Sequence, residues 1–370
     1  MTSANYSIQP TMSIAYFILA NRLSTILYTM IYILGFVGNT LALLTFSTRR
    51  MRQISSSIFL LILSISDIMA LVTSLWFFLS DAFAIHLQNY SALACRFRTF
   101  FAYVFMDLSS WCIAGLAVDR YLRTKFPLSS KTLCTPRNAS IVVFIFFLVL
   151  CGINGHYFSP GIGQERSKNR TTAHCLENRE QYPNYFYFYK IIWPKIDAVI
   201  FCFLPACVMI FCNVSIIYLV KRQRRHIENF NYDSREAMLK PIGGLLMKKV
   251  SFAHRKAIER QMSWMMIACV IAFLCTTVPV TVYLILLEHV IMKNPQWARN
   301  NALFIFIFRM LRVLMYTHFG SNFYLYCLTS RIFRMEFVQT ITCRRCFSHS
   351  YPEPLTSQAA GPSTHQPNDP

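Results

Sequence analysis

The amino-acid sequence predicts an all-α membrane protein, a bundle of seven transmembrane helices. Three observations carry this expectation. The 370 residues are 55% hydrophobic and only 14% charged, where a soluble domain carries about 25% charged residues. Seven apolar runs approach or exceed the ~20 residues that a helix needs to cross a bilayer. The basic residues, finally, gather in alternate connections between those runs.

Taken in order, the first run, 23–46, holds no charge and contains GFVGN (35–39). The second, 58–80, contains LSISD (63–67) and so places Asp67 well inside the span. An ionised carboxylate there costs about 2.5–3.5 kcal/mol on insertion scales, so a polar partner has to meet it. The third run, 99–118, carries Asp107 alone and ends at AVDRYLRTKFP, with Asp119, Arg120 and Tyr121 side by side at its exit. The fourth, 139–157, is free of charge. The fifth, 191–220, contains Lys195, Asp197 and Pro205, whereas the sixth, 261–287, is uncharged and contains Pro279. Each proline removes a backbone hydrogen bond and is expected to kink its helix. The seventh, 301–329, carries Arg309 and Arg312 and runs into SNFYLY (321–326). Charges inside such runs are expected to line a bundle interior or a polar cavity.

Sidedness follows from the basic residues. Three lie in 47–56, five in 119–138, eleven in 221–260 and four in 330–370, together 23 of the 36 Lys and Arg. By the positive-inside rule these segments are cytoplasmic, with the amino terminus outside and the carboxyl terminus inside. The net charge of +20 is therefore read as topology, and no nucleic-acid partner is expected. Residues 1–22 lack a basic start followed by an apolar run, so no cleaved signal peptide is expected and the first span serves as anchor. Glycosylation sequons at Asn5, Asn89 and Asn169 fall on the outer side, while those at Asn138 and Asn213 do not, so the sequons support the orientation weakly. Of the 13 cysteines, most lie in spans, and only Cys95 and Cys175 fall on the oxidising side. They are the natural disulfide pair, with two free thiols as the alternative.

From Cys95 to Arg120 is 25 residues, about 37 Å along a helix. One rod thus joins the outer sulfur to an acid–arginine pair at the inner water boundary. A span-ending arginine can also simply reach for headgroups. Here, however, Asp119-Arg120-Tyr121 stands with GFVGN, LSISD, FLPAC (203–207), TTVP (276–279) and SNFYLY followed by SRIFRMEF (330–337). In this order and spacing the chain resembles the rhodopsin-like (class A) G-protein-coupled receptors from about Thr25 to Phe337. NFxLYCL and TTVP further resemble invertebrate neuropeptide receptors of the FMRFamide-receptor-like group.

The resemblance implies roles for particular residues. Asp67, Ser109 and Asn322, with Asn39 and His318 nearby, form a polar cluster that in relatives can hold a sodium ion. His318 replaces the usual asparagine, so both an ion site and a purely structural cluster remain open. Glu259 stands 20 residues before Pro279, about 30 Å toward the cytoplasm. That level suits a resting bridge from Arg120 to Glu259, with Asp119 also holding Arg120; a solvated Glu259 is the alternative. Asn322 and Tyr326 match the seventh-span switch, but Phe323 replaces its proline and Thr277 replaces the sixth-span tryptophan. A short amphipathic helix is implied after the seventh span. The expected organisation is an outer amino terminus at 1–22, a receptor domain at 23–329, that helix at 330–341 and a disordered tail at 342–370.

For the ligand, Ala102 stands where amine receptors carry aspartate and Tyr316 where opsins carry lysine, which argues against an amine or retinal. Arg309 and Arg312 share a helix face and suit a carboxylate. With Asp107, Asp197 and Glu288 they form either a pocket for a charged ligand or an internal salt-bridge network. The aromatic stretch QYPNYFYFYK (181–190) and the polar second outer loop favour a peptide. The basic inner loop suits G protein or anionic lipid, Cys343 and Cys346 beside Arg344 and Arg345 suit palmitoylation, and the Ser/Thr-rich tail suits phosphorylation and arrestin. No nucleophile–base set, metal-ligand spacing or phosphate-cradling glycine loop appears, so neither an enzyme nor a metal centre is expected. A transporter would show repeats or interrupted helices in two halves. The expectation is a plasma-membrane receptor that activates G protein, with a non-signalling binding protein as the nearest alternative.

Overall fold

The computed structural model describes residues 10–83, 85, 87, 91–164, 174–177, 179–237, 265–286 and 302–342. Seven helices among them are long and apolar enough to cross a membrane. They are α1 (Pro10–Phe46), α2 (Ser55–Phe83), α3 (Ala92–Lys125), α4 (Pro136–Asn154), the composite α5, α6 (Met265–Leu286) and α7 (Ala302–Thr329). A shorter helix, α8 (Arg331–Ile341), follows, started by Ser330, whose side chain accepts from the Phe333 N–H. Helix α1 begins at Pro10, so residues 10–22, expected as a separate outer segment, are helical and continuous with the first span.

The fifth span departs most from the expectation of a single kink at Pro205. It runs through Pro183–Tyr187, Trp193–Asp197 and Leu204–Ala237, joined by π-helical turns at Phe188–Ile192 and Ala198–Phe203. Each wide turn ends just before a proline, Pro194 or Pro205. Proline lacks the N–H that its preceding turn expects, and widening that turn accommodates the loss.

Helix α3 is the axis of the bundle: 67% of its most apolar window is buried, against 22% for α4 at the periphery. Small residues set the close approaches, as in other membrane bundles. A Cβ on Gly35 of α1 would sit 2.6 Å from Leu71 and 3.2 Å from the Cα of Gly320 in α7. One on Gly115 of α3 would meet the Phe59 ring of α2 at 2.6 Å.

At the amino-terminal end of α3, β1 (Ile162–Gln164) pairs antiparallel with β2 (His174–Glu177). Gly163 has φ 75°, and its Cα faces the start of α3, where a Cβ would lie 3.0 Å from Ala92. Arg96 donates from Nε to the Ile162 carbonyl at 2.8 Å. This hairpin lies on top of α3 and carries Cys175 to Cys95; the two form a disulfide with Cα atoms 5.4 Å apart.

Candidate functional site

Three polar groups are arranged along the α3 axis, at different depths. The deepest is built on Asp67, which is fully buried. Its Oδ1 accepts from Ser109 Oγ at 2.5 Å and its Oδ2 from Asn322 Nδ2 at 2.7 Å, so α2, α3 and α7 are joined through one carboxylate. Asn39 does not join this carboxylate; its Nδ2 donates to the Phe319 carbonyl at 2.8 Å and ties α1 to α7. His318 is 1% exposed and packs edge-on to Phe273, with ring centroids 5.2 Å apart. Neither of its ring nitrogens has a hydrogen-bond partner among the described residues. Tyr326 lies farther along α7, buried between Phe46 of α1 and Phe333 of α8.

The second group is at the carboxyl-terminal end of α3, where the structure adds partners that the sequence reading did not name. Asp119 accepts from Ser55 Oγ at 2.5 Å and Ser56 Oγ at 2.6 Å, its ion pair is with Arg123 (Nε to Oδ2, 3.1 Å), and the adjacent Arg120 also acts on it through its charge. Helix geometry explains the ion pair, since residues four apart share a face and neighbours do not. Arg123 also donates from Nη2 to Ser55 Oγ at 2.6 Å and to the Cys134 carbonyl at 2.9 Å. One guanidinium thus ties α3 to α2 and to the connection before α4. Arg120 is half-buried on the next face, and Tyr121 points to α5, 5.9 Å from the Phe211 ring. Glu259, its expected partner, lies outside the described residues.

The third group is in the half of the bundle nearer Cys95, where the expected pocket divides in two. Arg309 and Arg312 line a cavity with Ser24, Tyr28, Tyr32 and Tyr316, between α1, α2 and α7. Arg309 donates to Asn21 Oδ1 at 2.7 Å, and Arg312 lies over the Phe308 ring at 5.6 Å. Neither aspartate lines that cavity. Asp107, 1% exposed, instead faces α4, where Asn154 donates to its Oδ2 at 2.9 Å. Asp197 is half-buried on α5, while Lys195, the basic residue of the same run, is exposed. Glu288, Asn5, Asn89, Asn169, Cys343 and Cys346 all lie outside the described residues.

Several contributors were not named from sequence. Ser55 and Ser56 sit in a plain serine run, and Arg123 looks like one more topogenic charge. Asn154 ends α4, where asparagine is ordinary. Glu336, the one acid of α8, is buried and pairs with Arg50 at 2.5 Å, joining α8 to the first inner connection. Trp193 Nε1 donates to Tyr157 Oη at 2.6 Å within an aromatic group that includes His156 and Tyr185.

Residues 38–322 match the family model described as 7 transmembrane receptor (rhodopsin family). A "Probable G-protein coupled receptor" of Caenorhabditis elegans is 22% identical over 325 residues, 84% of this chain and 67% of that protein. The human galanin receptor type 2 is 28% identical over 149 residues, 40% of this chain and 38% of the receptor. A galanin-like G-protein coupled receptor of C. elegans is 30% identical over 148 residues, 38% of this chain and 34% of that receptor. The alignments to both galanin-type receptors thus span little more than a third of those proteins.

Proposed function

The chain belongs to the rhodopsin family of seven-transmembrane receptors, and from that membership we propose that it converts the binding of an extracellular peptide into activation of a heterotrimeric G protein. The observation that carries this reading is the single helix Ala92–Lys125, with the Cys95–Cys175 tether near one end and the Asp119 cluster near the other. A displacement imposed at the outer end of such a rod arrives at the inner end. The excess of basic residues in the inner segments supports a plasma-membrane protein with its amino terminus outside. Relatives named as galanin receptors and the aromatic segment 181–190 support a peptide ligand.

At rest, the contacts of Asp119 with Ser55, Ser56 and Arg123 hold the inner end of α3 against α2. Ligand that favours the alternative arrangement shifts a two-state equilibrium, exposing Arg120 to the G protein; a bridge from Arg120 to Glu259 belongs to the resting state. The basic inner loop meets G protein and anionic lipid, and the phosphorylated tail meets arrestin. For sodium the donor set is mixed: each Asp67 oxygen already accepts one hydrogen bond but keeps further acceptor capacity, while His318 offers nitrogen where a hard cation prefers oxygen. No step is routed through an ion there.

The test is the full chain in cells, screened against a peptide library with calcium and cyclic-nucleotide readouts. A responding peptide is expected to lose its signal in Arg120→Ala while binding and surface delivery are kept. Equal signalling by that variant overturns the mechanism. Buried Thr277, in place of tryptophan and bonded to the Phe273 carbonyl at 2.6 Å, motivates one second reading, a receptor that binds without signalling. Saturable peptide binding with no G-protein response would establish it.

A further inference from the structure

The acid group between α3, α4 and α5 contains more acceptors than donors. Asn154 is fully buried, and its Nδ2 donates both to Asp107 Oδ2 at 2.9 Å and to the Leu150 carbonyl at 3.0 Å. Those two bonds fix the amide orientation, since turning it over would set oxygen against oxygen. The Asn154 Oδ1 and the Asp107 Oδ1 are then both buried with no hydrogen-bond partner among the described residues. Buried acceptors are nearly always satisfied in folded proteins, so two side by side call for a donor from elsewhere.

A second carboxylate faces the same place. Trp111 of α3 donates from Nε1 to the Ile200 carbonyl of α5 at 3.1 Å, which fixes the register of the two helices. Both run from the outer side inward. Asp107 stands four residues, one α-helical turn, before Trp111 on the same face of α3, and Asp197 stands three residues before Ile200, at the entry to the π-helical turn Ala198–Phe203. The two carboxyl groups are near enough to act on one another through charge. One turn farther out, Tyr103 stacks on Tyr157 with ring centroids 4.7 Å apart, giving the approach an aromatic wall. Aromatic faces attract cations, and most strongly where water is excluded.

We propose that Asp107, Asp197 and the side-chain carbonyl of Asn154 form the seat for a cationic group of the extracellular ligand, a guanidinium or an ammonium. This rests on the receptor reading and deepens it. The forked N–H groups of a guanidinium suit a planar set of acceptors. The ligand's basic side chain enters between α3 and α5, and the arginines of α7 are left to its other groups.

The test uses the purified full chain in detergent and two probes, Nα-acetyl-arginine amide and its neutral citrulline counterpart. Thermal unfolding is measured for wild type, Asp107→Asn and Asp197→Asn. The arginine probe is expected to raise the wild-type Tm saturably by about 3 °C, with the citrulline probe at least tenfold weaker. Either Asn variant is expected to lose the difference between probes, and without probe to unfold no earlier than wild type, because the crowding of two carboxyl groups has been relieved. Equal effects of the two probes, no effect of either at millimolar concentration, or a wild-type response in both variants overturns the proposal. A Tm rise of the same size with sodium chloride over potassium chloride also overturns it, in favour of an inorganic cation. G-protein nucleotide exchange on the same preparation keeps the two readings apart, since exchange that persists while the probes fail leaves the receptor reading standing.

Discussion

At the scale of single residues, the strongest constraint is a charge placed in the middle of a membrane helix. Asp67 is tolerated because Ser109 and Asn322 each give its carboxylate a donor. Ser109→Ala is therefore expected to destabilise the purified protein by about 1–3 kcal/mol. In Asp67→Asn the same serine change is expected to cost less, so the double variant should be less than additive in thermal unfolding; additive losses would separate the two side chains. At the inner boundary the contacts divide labour between two arginines. Arg123 meets Asp119, Ser55 and the Cys134 carbonyl, so Arg123→Ala is expected to lower Tm by about 2–4 °C, more than Arg120→Ala does. The core set Asp67, Ser109 and Asn322 was legible because polar residues stand out in apolar spans and their spacing matched a known pattern. Ser55, Ser56, Arg123 and Asn154 were not. Serines at a helix start and a basic residue at a membrane boundary are what any such protein carries, and only the packing of neighbouring helices gives them partners.

At the scale of elements, the seven spans could be read from hydropathy, with the charged third, fifth and seventh resting also on the even spacing of the connections, but their interruptions could not. Pro205 was visible as a break, yet its effect is a widened turn over Ala198–Phe203, repeated ahead of Pro194 over Phe188–Ile192. Whether a helix answers a proline by bending or by widening depends on its neighbours, and here Trp111 holds the Ile200 carbonyl within the second turn. The outer hairpin was also invisible, since a three-residue strand such as Ile162–Gln164 has too little pattern to read. Its geometry nonetheless makes a sharp demand on one residue. Gly163 has φ 75° and abuts Ala92, so Gly163→Ala is expected to cost about 1–2 kcal/mol and lower Tm. Gly152→Ala is the control: nothing lies within 4 Å of its added Cβ, and helix propensity favours alanine by about 1 kcal/mol. Equal losses from the two changes would contradict the hairpin's docking on α3.

For the whole molecule, the family places the chain among seven-transmembrane receptors, and the structure shows how one rod ties the two faces together. The disulfide seats the outer hairpin at the start of α3, and the Asp67 carboxylate joins three helices in the middle. Asp119 and Arg123 close the inner end, while Arg50 and Glu336 fasten α8 to the first inner connection. On the proposed reading, signal transfer has the Asp119 end of α3 exchange its resting partners for a cytoplasmic one. The most direct measurement is nucleotide exchange on a purified heterotrimeric G protein, catalysed by the full chain in phospholipid discs, with wild type compared to Arg120→Ala. Exchange above the receptor-free rate, raised by an activating peptide and absent in Arg120→Ala, is the predicted result. Exchange by the variant equal to that of wild type, or none from wild type across the G-protein classes with a peptide bound, contradicts the account.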